Sequence, residues 1–118
     1  MIYAVVVVIT SALTLNGCTY NKEDELYAQK CDTTVVTYNN SIKEIIQTNC
    51  LSCHGEERYQ TEGSFVNLSG YENAKLFSES ILSEVIDDIT PMPKNAARLS
   101  SCKIDQIRAW INQGRKLE

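Results

Sequence analysis

Apolar positions recur with helical spacing in several stretches of the chain. Ile42, Ile45 and Ile46 repeat at offsets of three and four, the signature of a buried helical stripe. Ser41-Ile42-Lys43-Glu44 has capping-box form, with Ser at the N-cap and Glu three residues on. The spacing predicts a first helix from about Ile42 into Cys50. That helix delivers Cys50-Leu51-Ser52-Cys53-His54 at its C-terminal end, with Gly55 as the stop. A second face runs through Ile81, Leu82, Val85, Ile86 and Ile89, and Pro91-Met92-Pro93 ends it because proline cannot continue the ladder. A last helix starts near Ser101, carries Ile104, Ile107 and Ile111 on one face with Trp110 beside it, and stops at Gly114. Arg115 and Lys116 suit the negative end of that helix. Between these, Thr33–Tyr38 is β-branched and predicts an extended segment, as does Ser64–Leu68. Glu56–Gly63 and Lys94–Ser100 read as loops, and a short helix runs through Lys75, Leu76 and Phe77. The expected class is mainly α.

The N-terminal pattern is different. Residues 1–17 carry no charge, and Val5–Ile9 is a continuous apolar run. The run is too short for a membrane span and fits the core of a secretory signal. Leu15-Asn16-Gly17-Cys18 then resembles a bacterial lipobox, with Cys18 as the lipidated first residue. Two features depart from that pattern: no Lys or Arg precedes the run, and Asn16 is an unusual neighbour for Gly17. A plain buried strand is the other reading. Residues 18–30 are polar and charged without apolar period, as in a tether. Lys22-Glu23-Asp24 within it is either a solvated linker or a charged outer-surface sorting signal. The expectation is an exported bacterial lipoprotein, facing the periplasm or the outer surface, with its domain at 31–118 and 118 − 17 = 101 residues after processing.

The formal net charge of −4 argues against a nucleic-acid partner, which needs a basic face. A domain this small builds a modest core and profits from a disulfide or a large apolar cofactor.

Candidate chemistry sits in Cys50-Leu51-Ser52-Cys53-His54, which holds two thiols and the chain's single histidine. C-x-x-C-H is a c-type haem attachment motif. Two thiols at that spacing can each add to one haem vinyl group, and the next residue binds the iron through an imidazole nitrogen. Three rivals stand beside this reading. A thioredoxin-like pair wants a lowered thiol pKa at a helix N-terminus, whereas this pair is expected at a C-terminus. A zinc site wants four well-spaced ligands, and no second histidine exists. A structural Cys50–Cys53 disulfide is the third.

The five cysteines then divide as Cys18 to lipid, Cys50 and Cys53 to haem, and Cys31 with Cys102 to a disulfide. Two separate buried thiols are the alternative for the last pair. The sixth iron position has one strong candidate. Met92 is the only methionine apart from Met1, and it lies 92 − 54 = 38 residues after His54. Pro91 and Pro93 stiffen its loop. A thioether held there gives His54/Met92 ligation, which raises the reduction potential. A core gap-filling Met is the alternative.

With these pieces in place, the chain resembles a class I-like monohaem cytochrome c in its small bacterial lipoprotein form. The resemblance rests on the helix into Asn49–Gly55, the Pro91-Met92-Pro93 loop and the C-terminal helix Cys102–Gly114 with Trp110. It covers roughly Cys31 to Gly114. It implies a small helical fold in which the first and last helices cross beside one covalently attached haem c, and electron transfer to redox partner proteins such as other cytochromes, oxidases or reductases. Neither enzymatic chemistry nor a small-molecule substrate is expected. Many relatives place a proline soon after the haem histidine, whose carbonyl orients the imidazole. Here Gly55-Glu56-Glu57-Arg58 follows, so the resemblance assigns His54 no such partner.

Ile45, Ile46, Leu68, Leu76, Phe77, Leu82, Ile86, Ile107 and Ile111 suit either a haem wall or ordinary core. Lys94, Arg98 and Trp110 suit either haem propionates or a solvated charge and a core Trp. Two other functions remain open: a haem enzyme or gas sensor with an open sixth position, and a haem-free module held by disulfides.

Overall fold

A computed structural model describes residues 31–118, so the expected signal at 1–17, the expected lipidation of Cys18 and the expected tether at 18–30 lie outside the described residues. The described chain is mainly helical, with no strand among the described residues. A π-helical turn, Tyr38–Ile42, leads into α1 (Lys43–Asn49). Cys50 breaks the helical dihedrals at φ −121°, and α2 (Leu51–His54) resumes directly. Then come α3 (Tyr71–Leu76), α4 (Ser78–Ile86) and α5 (Ser101–Asn112).

The first helix starts four residues earlier than the spacing predicts. Its capping box is Thr37 with Asn40, not Ser41 with Glu44. Thr37 Oγ1 accepts from the Asn40 N–H at 3.2 Å, and Asn40 Oδ1 accepts from the Thr37 N–H at 2.8 Å. Asn40 thus plays the part that Glu or Gln usually takes. Tyr38, predicted extended, is therefore helical, and Thr33–Thr37 forms no strand. Two further corrections concern loops. Ser64 and Phe65 take positive φ, 51° and 65°, so Ser64–Leu68 opens on a turn rather than an extended segment. And α4 ends at Ile86, before the prolines, because Asp87 folds its own side chain back onto the backbone. Its Oδ1 accepts from the N–H groups of Ile89 and Thr90, which competes with the helix ladder.

The core forms where α4 packs against α5, and α5 against the π turn that opens the first helix. Val36, Ile42, Ile46, Ile107 and Trp110 are fully buried there. Tyr38 joins the group, its ring edge-on to Tyr71 at 5.5 Å and tilted to Trp110 at 6.3 Å. Burial pushes the Tyr38 phenol pKa up. The indole N–H of Trp110 donates to the Lys116 carbonyl at 2.9 Å, so the largest core side chain leaves no polar atom unpaired.

The last residues clasp the first. Gln113 reaches across to take the Val36 N–H on its Oε1 and to donate to the Thr33 carbonyl, both at 2.9 Å. The Tyr38 and Asn39 N–H groups donate to the Lys116 and Leu117 carbonyls. Arg115 adds a bond from Nε to buried Ser78 and an ion pair with Glu79. Cys31 and Cys102 lie at disulfide distance beside this clasp, their Cα atoms 5.4 Å apart. No helix among the described residues is long and apolar enough to cross a membrane.

Candidate functional site

The site begins with a break in a helix. Because α2 follows α1 after the single off-helix residue Cys50, the two thiols and the imidazole are carried on one rigid segment. The Cys53 and His54 N–H groups both donate back to the Cys50 carbonyl, at 3.2 and 2.9 Å. Gly55 closes the segment. Its N–H donates to the Leu51 carbonyl at 3.0 Å, and a Cβ at Gly55 would lie 2.6 Å from that same oxygen. Only glycine lets the chain leave α2 so close to its own last turn.

Cys50 and Cys53 are free thiols, both half-buried. Burial pushes the Cys50 thiol up to about 11, so it is protonated at neutral pH. That is the reverse of what a thioredoxin-like nucleophile needs. The Cys53 sulfur lies 3.9 Å from Glu62 Oε2. Glu62 in turn pairs with Arg58, whose hydrogen bond holds its carboxyl below the usual range. No three His, Cys, Asp or Glu side chains converge as metal ligands among the described residues, whereas a closed zinc site needs four.

His54 is gripped from both ends by one loop. Its Nδ1 lies 3.0 Å from the Val66 carbonyl, and its own carbonyl accepts the Leu68 N–H at 2.8 Å. A carbonyl can only accept, so Nδ1 carries the proton and Nε2 presents its lone pair. This is the tautomer that a metal-binding histidine adopts when a backbone carbonyl orients it. Nothing in the sequence points to Val66, since any residue supplies a carbonyl.

Met92 is on a separate element, in the loop after α4. Its N–H donates to the Glu84 carbonyl at 3.0 Å, which ties the loop to α4, and the residue is half-buried. Arg98 braces the same loop by donating to the Asp87 carbonyl at 2.8 Å and pairing with Asp88. Arg98 and Trp110 are therefore engaged within the protein, while Lys94 is exposed.

The apolar residues divide. Ile45, Ile46, Leu68, Ile107 and Ile111 belong to the buried core, and Phe77 and Leu82 pack against it. Leu76 and Ile86 do not: they are 74% and 46% exposed. Phe65 at 77% and Ile89 at 89% join them. All four lie in the stretch between His54 and Met92. Val35 and Leu117 are exposed as well, at 66% and 42%.

The donor types are those that a c-type haem takes: two free thiols at the required spacing, an imidazole whose Nδ1 is committed to a carbonyl, and a thioether on a separate, braced loop. A surface depression lined by Cys31, Thr33, Asp105, Arg108, Ala109 and Asn112 includes none of these donors. No protein-family model, curated protein sequence or solved structure matches the chain.

Proposed function

We propose that the chain is a c-type cytochrome of small helical form, held at a bacterial membrane by lipid on Cys18, that carries single electrons between redox proteins. One observation carries the reading: His54, beside two free thiols, has its Nδ1 committed to the Val66 carbonyl and its Nε2 available. Cys50 and Cys53 would hold the haem through thioethers, with His54 and Met92 as axial ligands. When bound, haem supplies a one-electron couple whose potential rises with Met ligation.

The chain's own residues have distinct tasks. The Val66 carbonyl fixes the imidazole plane and raises its basicity. The Glu84 carbonyl and Arg98 steady the loop that carries the thioether. With His54 and Met92 both holding the iron, the chain would leave no place for a substrate there, and the role would be transfer rather than catalysis. Partner contacts in such carriers are small and short-lived.

The test is an absorption spectrum of protein exported from a host with cytochrome c maturation, oxidised and reduced. Sharp low-spin bands, haem that survives denaturation and a weak long-wavelength sulfur-to-iron band are the expected result. A high-spin spectrum with covalent haem would move the function to a haem enzyme or gas sensor. Absence of covalent haem would overturn the proposal.

A further inference from the structure

The loop that holds His54 contains an unusual turn. The Val66 N–H donates to the Gly63 carbonyl at 2.8 Å, closing a four-residue turn whose central residues, Ser64 and Phe65, both have positive φ. Two left-handed residues in succession are the type I′ pattern, normally filled by Asn and Gly. Ser and Phe are strained there, and such strain persists only where the surroundings impose it. Phe65 gains no compensating burial, being largely exposed.

What imposes it is the approach to the histidine. Gly63 is buried. A Cβ on it would lie 2.7 Å from the Cys53 carbonyl, 2.8 Å from Tyr59 Cα and 3.0 Å from His54 Nδ1. The first two neighbours are backbone and cannot swing aside. The turn is further pinned by the Phe65 N–H donating to the Tyr59 carbonyl at 2.9 Å. Only with Gly63 seated against α2 does the reversal at Ser64-Phe65 aim the Val66 carbonyl at Nδ1.

We propose that the strained turn Gly63–Val66 is the positioning element for His54. Gly63 permits the close approach, and the left-handed pair directs the carbonyl that sets the imidazole's tautomer and orientation. The inference rests on the haem reading only for its effect on potential. The tautomer is a property of the chain itself.

The experiment uses that separation. His54 is the only histidine, so its two ring nitrogens can be read by nitrogen–proton correlation NMR in the full chain, with and without haem. The wild-type chain is expected to hold one tautomer, protonated at Nδ1, with slow proton exchange. Gly63→Ala should mix the tautomers and speed exchange about tenfold, the equivalent of one hydrogen bond. In the haem-bound protein it should raise the potential, because a less basic imidazole stabilises ferric iron less. Ser64→Gly should keep the single tautomer and increase stability, since glycine adopts positive φ without strain. Ser64→Pro, locked near −65°, should lose the tautomer while the near-ultraviolet signal of Trp110 persists. If Gly63→Ala does not fold, the Ser64 pair decides. A folded Ser64→Pro or Gly63→Ala chain with one protected Nδ1 proton would overturn the proposal. A wild-type chain with this tautomer but no haem would instead sink only the cytochrome reading.

Discussion

Cys31 and Cys102 face each other across 71 residues of chain, with 5.4 Å between their Cα atoms, one at the entry to the domain and the other in the first turn of α5. A disulfide there closes nearly the whole domain into one loop. Loop-closure entropy for that length gives a stabilisation of about 4 kcal/mol. Replacing both cysteines by serine should lower the unfolding free energy by about that amount, measured in urea. A change below about 1 kcal/mol would show that the pair is not bonded in solution.

Substituting alanine for either Cys50 or Cys53 removes one of the two proposed haem bonds, and replacing both removes the covalent link. Haem staining of the denatured double variant should be blank, while each single variant should still stain. Staining of the double variant would mean that the attachment site lies elsewhere.

Met92→Ala should keep covalent haem, lose the long-wavelength sulfur band and lower the potential. Because the Met92 backbone bonds to the Glu84 carbonyl through its N–H, the substitution leaves the loop's tie to α4 intact. An unchanged potential would remove Met92 as ligand.

Asp87 governs the pH response of that same loop. Hydrogen bonds from the Thr90 and Ile89 N–H groups hold its carboxyl below the usual range. A carboxylate whose pKa is lower folded than unfolded stabilises the fold above its unfolded value, about 4, and loses that contribution as pH falls through the folded one. Asp87→Ala should therefore destabilise the protein at pH 7, and the difference from wild type should close below roughly pH 4. A difference that stays constant from pH 7 to pH 2 would contradict this.

The parts legible in the sequence are those set by local chemistry. The isoleucine stripe of α1, the α5 face with Trp110 beside it, and the stop at Gly114 follow from spacing and from glycine's freedom at φ 91°. The cysteine arithmetic pointed to Cys31 and Cys102 because three other cysteines had other expected roles. The misreadings have a shared cause. At Thr37, Asp87 and Ser64 the backbone is directed by side-chain or tertiary bonds that periodicity does not register. Ser41 with Glu44 has the better pattern for a cap, but Thr37 with Asn40 makes the bonds. Val66 and Gly63 were invisible for another reason: one acts through its carbonyl and the other through a missing Cβ, and neither has a signature.

The clasp between residues 113–117 and the stretch from Thr33 to Asn39 has a consequence for timing. Synthesis from the N-terminus makes Tyr38 about seventy-five residues before Gln113, Lys116 and Leu117. Until they emerge, Tyr38 lacks its backbone acceptor and Trp110 its indole acceptor, and the core cannot close. Cys50, Cys53 and His54 are made roughly sixty residues ahead of them, several seconds at ordinary synthesis rates of about 5–20 residues per second. For that interval the segment Cys50–His54 stands in a domain whose core is still open, and residues 113–117 act as the latch that closes it.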